Sequence, residues 1–112
     1  MSDIMTHDER QLRRMLDCID ATRNNRMSLQ AASDSLLFLR DALENLQADW
    51  ARDFTSHLAT LESAGLASPE QIGGMGEGYP RLIAETLDAL DVLVRARLQA
   101  LASGVTHDPE RS

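Results

Sequence analysis

Between residues 29 and 46 an apolar side chain returns at alternating steps of three and four: Leu29, Ala32, Leu36, Leu39, Leu43 and Leu46. That interval follows the 3.6-residue turn of an α-helix, so these side chains line one face, and that face must be buried against something. Leu37 widens the stripe. The segment 28–64 that contains it also holds the only Trp, both Phe residues and six of the acidic side chains. The rest of the chain reads as helices that cover its apolar face. No segment shows the two-residue alternation of a strand.

The helical bias agrees with the residues used. Leu and Ala dominate a hydrophobic fraction of 43%, and aromatics make up only 4%. Leu and Ala lose little on entering a helix, whereas strand-favouring rings are scarce. A chain of 112 residues is expected to form one domain, large enough to bury a core without a metal or disulfide framework. The fold class expected is all-α, an antiparallel bundle of three to four helices. Its ordered core should span about 6–102, between a frayed start and a disordered tail over 103–112.

The helix ends are marked by short signals. Thr6 and Glu9 have the spacing of a capping box and open the first helix. Leu12, Leu16, Ile19 and Arg23 follow at helical spacing with Met15 beside them, and Asn24-Asn25 ends the run. Ser28 caps the second helix. Gln47-Ala48-Asp49 reads as a break, with Asp49 capping a third helix from Trp50, although one continuous helix over 28–64 is the alternative. Trp50, Phe54, Leu58 and Leu61 form that third stripe. Gly65 is placed to end it with positive φ. Ser68-Pro69 signals another short turn, and residues 73–78 hold four of the six Gly, which predicts a mobile loop. Pro80 then starts a last helix to about Ala102, with the stripe Leu82/Ile83, Thr86/Leu87, Leu90, Leu93/Val94, Arg97/Leu98 and Leu101. Glu85, Asp88 and Asp91/Val92 fall on its outer face.

Catalytic and metal chemistry find little to work with. His7, His57 and His107 lie on different segments, outside any HExxH or Glu-x-x-His spacing, so no metal site is expected. Cys18 stands beside core positions and reads as a small buried hydrophobe. As the lone Cys it forms no internal disulfide, which suits a reducing compartment. The glycine segment lacks the strand and the Lys-Ser/Thr pair of a phosphate loop. No Ser sits in GxSxG. The chain is expected to carry no reaction and no cofactor.

Charge is the remaining signal. The net charge is -7, which argues against direct nucleic-acid binding and favours a basic protein partner. All 11 cations are Arg, and only residues 6–26 are net basic. No apolar run is long enough to span a membrane, and the polar start is unlike a signal peptide. The expected place is the cytoplasm. On the second helix, Asp34, Phe38, Asp41 and Asn45 make a further stripe with Glu44 at its edge. Either a third helix covers Phe38 or the ring is a binding anchor. Scattered acids alone serve solubility. As a docking surface, Asp34, Asp41, Glu44, Asp49 and Asp53 would supply charge, joined by Glu85 and Asp88 of the last helix. Phe38, Trp50 and Tyr79 would be the apolar anchors.

The order of these features resembles a known family. A short first helix is followed by RNNRMSLQ, then SLLFLRDALENL, DWARDFTSHLATLESA and YPRLIAETLDALDVLVRARL. The pattern is similar to small α-helical immunity proteins encoded beside contact-dependent growth-inhibition and related polymorphic toxins. Met27-Ser28-Leu29, Trp50, Phe54, Leu58, Leu61 and Glu62 stand at the comparable places. Asn24-Asn25-Arg26 occupies the site of the family's usual Gly. The resemblance implies a cytoplasmic protein that binds a cognate toxin domain, commonly a basic nuclease, and blocks it. A small helical adaptor, secretion chaperone or homodimeric scaffold is the competing expectation, and the sequence leaves monomer or dimer open.

Overall fold

The first two helices begin where a side chain is available to satisfy a free N–H group of the first turn. The computed structural model describes residues 6–44, 47–66 and 78–103, with side chains of the last segment described over 80–101. Helix α1 spans His7–Arg23. Thr6 closes the expected capping box: its Oγ1 accepts from Glu9 N at 3.1 Å, and Glu9 Oε1 accepts from Thr6 N at 3.0 Å. Asp8 and Glu9 at this end and Arg23 at the other complement the helix dipole. Asn24 is the C-cap, and Asn25 turns the chain with φ 60°, a conformation Asn tolerates because its short amide bonds locally.

Helix α2 spans Leu29–Asp41. Ser28 Oγ accepts from Ala31 N at 3.1 Å and starts it as expected. The helix stops short of the stripe's end, because α1 captures the chain that leaves it. His7 Nε2 donates to the Ala42 carbonyl at 2.7 Å, and Asp8 Oδ1 accepts from Glu44 N at 2.8 Å. Leu43 is half-buried in the turn, and Leu46 lies outside the described residues. The 28–64 segment is therefore two helices.

Helix α3 spans Ala48–Gly65. Its N-cap is Gln47, which gives no side-chain hydrogen bond. Asp49 is not the cap; it sits in the first turn and pairs with Arg52 at 3.2 Å. Gly65 does not end the helix with positive φ, since it is still helical. A Cβ there would lie 3.2 Å from Leu29 Cβ and 3.3 Å from Gln30 N, so the missing side chain lets the end of α3 approach the start of α2. Helix α4 spans Gly78–Ser103, two residues ahead of Pro80, a position where a missing N–H costs nothing. The expected frayed start, the Ser68-Pro69 turn, most of the glycine segment and the tail beyond Ser103 lie outside the described residues.

The four helices of the described residues form a ring in which each packs on its sequence neighbours, and α4 closes it against α1. The diagonal pairs do not meet. Contacts run antiparallel around it: His7 meets Ala42, Gly65 meets Leu29, Trp50 meets Leu93, and Arg23 meets Asp88. Leu12, Met15 and Ile19 of α1, Leu36 of α2, Phe54 and Leu61 of α3, and Leu90 and Val94 of α4 are fully buried between them. In α1 the stripe is rotated from the expected one. Met15, Cys18 and Thr22 are buried, Leu16 is half-buried, and Arg23 is exposed. The cause is that α1 must face both α2 and α4, so its buried arc is wider than one line of residues. Leu37 also departs from expectation, being 42% exposed. Among the described residues no helix is long and apolar enough to cross a membrane.

Candidate protein-docking face

The outward side of α2 follows from its inward side. With Ala32, Leu36 and Leu39 buried, the period of the helix turns Asp34, Phe38 and Asp41 to solvent. Among the described residues no third helix covers Phe38, which is 71% exposed. Phe38 lies beside Asp34, Ser35 and Leu39 at a shallow depression of about 360 Å³. One step around the bundle, Ser33, Asp34, Leu37 and Arg40 of α2 face Thr55, Leu58, Ala59 and Glu62 of α3 across a smaller groove of about 90 Å³.

Electrostatics divide the expected carboxylates. Asp34, Asp53 and Glu62 form no ion pair among the described residues. Asp41 is exposed, but Oδ1 accepts from Arg40 Nη2 at 2.7 Å, while Arg40 Nη1 donates to Thr55 Oγ1 at 2.7 Å. Arg40 thereby ties α2 to α3 and offsets part of the charge of Asp41. Glu44 is exposed in the turn after α2. The remaining acids are scattered. Asp49 faces Arg52 at the start of α3. Asp88 is turned toward α1, where it pairs with Arg23; α4 does not meet α2, so Asp88 belongs to another side. Glu85 is exposed on α4.

Two of the three expected anchors have other circumstances. Trp50 is half-buried between α3 and α4. Its ring stacks on Phe54 with centroids 4.9 Å apart, and Nε1 donates to the Leu93 carbonyl at 2.9 Å. The indole is thus spent on joining helices, because a buried Trp N–H needs a partner. Tyr79 is in the first turn of α4, and its side chain lies outside the described residues. Among the described rings, Phe38 is the one that is largely exposed.

The α1–α4 side is different in kind. Arg23 Nη1 meets Asp91 Oδ2 at 2.8 Å, and Asp91 also pairs with Arg95. Asp91 is therefore not on the outer face expected of it; its side chain is only 13% exposed. Burial raises its pKa, but hydrogen bonds from Arg95 and Arg23 outweigh that and hold it below the ordinary carboxylate range. Beyond this clamp runs an open groove of about 580 Å³ lined by Arg13, Leu16, Val92, Arg95, Ala96, Leu98 and Gln99.

Cys18 donates to Met27 Sδ at 3.3 Å, and burial pushes its thiol up to about 11, so it is a poor nucleophile. No group of three or more His, Cys, Asp or Glu gathers to hold a metal among the described residues. The fold brings Asp34, Phe38 and Asp41 together and adds Ser33, Leu37, Arg40, Thr55 and Glu62, which were not expected at a site. Their signal is faint: Ser33 and Leu37, and Thr55, Ala59 and Glu62, recur at helical steps, but only the pairing of α2 with α3 joins the two sets. Comparison with protein-family models, with curated proteins and with solved structures finds no match for the chain.

Proposed function

We propose that this chain is a binding protein of the immunity type, which docks a basic toxin domain on its α2–α3 face and blocks it by occlusion. The observation that carries the reading is Phe38, 71% exposed on a helix face that also presents the unpaired Asp34. A large exposed ring among carboxylates matches the division of labour at protein interfaces, where a few rings supply affinity and charges set rate and specificity. The net charge of -7 steers the encounter with a cationic surface such as a nuclease's phosphate-gripping cleft. The reading assigns the chain no reaction and no cofactor, and it places the chain in the cytoplasm, where the toxin would act.

The test starts from the genes beside this chain's own: the reading expects one of them to encode a toxin domain, which then serves as the binding partner. Phe38→Ala should weaken binding by about 2 kcal/mol or more, roughly 30-fold, with the fold intact. Asp34→Lys with Asp41→Lys should also weaken binding and flatten its salt dependence. Unchanged affinity and unchanged protection of cells in both variants would refute the reading. A second reading, a self-assembling scaffold or adaptor, rests on Val92, 67% exposed at the rim of the α1–α4 groove. Light scattering separates them, because that reading needs a stable dimer that Val92→Asp breaks up.

A further inference from the structure

The groove between α2 and α3 contains a polar group that the fold does not satisfy. Among the described residues, three hydroxyl side chains are buried in the helices. Thr22 Oγ1 donates to the Cys18 carbonyl at 2.8 Å, and Thr86 Oγ1 donates to the Leu82 carbonyl at 2.8 Å. Both use the usual route for a hydroxyl inside a helix, the carbonyl four residues back. Ser33 is 4% exposed, and its Oγ has no hydrogen-bond partner. Buried hydroxyls are nearly always paired, because an unmade bond leaves the full cost of desolvation. An unpaired hydroxyl at the wall of a groove therefore points to a group supplied from outside.

The other lining residues define that group. Asp34 and Glu62 stand on opposite walls, one on each helix, and neither forms an ion pair among the described residues. Leu37, Leu58 and Ala59 give the groove an apolar lining. Arg40 also borders it, but its guanidinium is already held by Asp41 and Thr55. Counting Asp34, Glu62, Asp41 and Arg40, the lining with this neighbour carries a formal charge of -2. The volume of about 90 Å³ corresponds to about three waters. It is well below the roughly 300 Å³ at which small-molecule sites begin. A groove of this size takes the cationic tip of one long side chain, with the apolar stem lying along its open side.

We infer that the α2–α3 groove receives one arginine side chain of the partner protein, its stem on Leu37, Leu58 and Ala59 and its guanidinium between Asp34 and Glu62, with Ser33 Oγ accepting one of its N–H groups. Arginine is favoured over lysine because its planar fork presents several N–H donors at once, enough for two carboxylates and a hydroxyl. Ser33 lines the groove with its Oγ buried, so the guanidinium reaches that oxygen as the groove opens around it. The inference takes from the proposed function only that the partner is a basic protein. It adds the residue type recognised and the groove that does it.

The test needs no toxin. The full-length chain, labelled with ¹⁵N, is titrated with N-acetyl-arginine-amide and, separately, with the neutral isostere N-acetyl-citrulline-amide. The arginine compound should give saturable shifts centred on the amides of Ser33, Asp34, Thr55, Ala59 and Glu62, and the citrulline compound none. Asp34→Asn with Glu62→Gln should weaken binding about tenfold, in line with the loss of charge-assisted bonds. Ser33→Ala should weaken it as well while raising the melting temperature, a pair of effects that a damaged fold does not produce. Equal shifts with citrulline, shifts centred on other carboxylates such as Asp53, or undiminished binding by the double variant would overturn the inference. The two ideas fail separately. A flat arginine titration alongside lost toxin protection in Phe38→Ala overturns the arginine groove alone. Saturable arginine binding without toxin protection overturns the immunity reading and leaves the groove standing.

Discussion

Trp50 offers the sharpest check on how the bundle is held, since a ring in this segment serves either as a surface anchor or as a joint between helices. In the structure it stacks on Phe54 and donates Nε1–H to the Leu93 carbonyl. Trp50→Phe keeps an aromatic ring against Phe54 and removes the hydrogen bond, a loss of about 1 kcal/mol. Trp50→Ala removes the stacking and the packing too. Truncating a fully buried Trp costs about 3–5 kcal/mol, and this one is half-buried, so about 2–3 kcal/mol is expected. For a chain of this size about 1 kcal/mol moves the melting temperature by about 4 °C, so the shifts should be roughly 4 °C and 10 °C. The assay is thermal unfolding followed by circular dichroism at 222 nm, with Phe38→Ala as the control. The control should melt like the parent, because an exposed ring away from the core contributes within about 0.5 kcal/mol. A Trp50→Ala protein that melts within about 1 °C of the parent would refute the assignment. So would an equal loss of stability in Phe38→Ala.

Three further outcomes follow from the same structure. Leu90→Ala empties a fully buried site between α4 and the other helices and should cost about 2–5 kcal/mol by denaturant unfolding, whereas a cost below about 1 kcal/mol would remove Leu90 from the core. Asp91 has a depressed pKa in the folded state, so its contribution is present above the unfolded carboxylate value of about 3.9 and is lost as pH falls through the lower folded value. Melting temperatures of the parent and of Asp91→Asn should therefore differ at pH 7 and converge below about pH 4; a gap that persists at pH 2 would count against the Arg23–Asp91–Arg95 clamp. With its thiol pushed up from 9.0 to about 11, Cys18 carries about 100-fold less thiolate at pH 8, and iodoacetamide should label it slowly until denaturant is added. Prompt labelling of the native protein would show that Cys18 is accessible.

The two grooves separate the proposed docking face from the clamp side. Arg23 and Arg95 on α1 and α4 are held by Asp91, so this side joins helices. On α2 and α3, Arg40 holds Asp41 and Thr55, while Asp34 and Glu62 are left over. Unpaired carboxylates on an exposed face contribute little to stability. Their position beside an open ring and an unsatisfied hydroxyl is the physical ground on which a partner is proposed there.

The amino-acid sequence alone determined the helical class, the caps at Thr6 and Ser28, the turn at Asn24-Asn25 and the stripes that became the core, because each depends on residues within one turn of one another. Cys18 as a buried hydrophobe and the outward direction of Asp34 and Phe38 were legible for the same reason: the helix period fixes direction once one face is known to be buried. Properties set by the neighbouring helix were not legible. Whether Phe38 is covered, whether Trp50 is turned inward, and where α2 stops depend on the placement of α3, Leu93 and the His7-Asp8 pair, which lie up to tens of residues away in the chain. Asp88 and Asp91 read as outward from their own helix and are claimed by Arg23 of another. Gly65 illustrates the same division. Its position near a helix end follows from local sequence, but the reason for glycine is the approach of Leu29 across the bundle. The candidate groove belongs wholly to tertiary structure, since Ser33 and Glu62 acquire a shared surface only when α2 and α3 pack side by side.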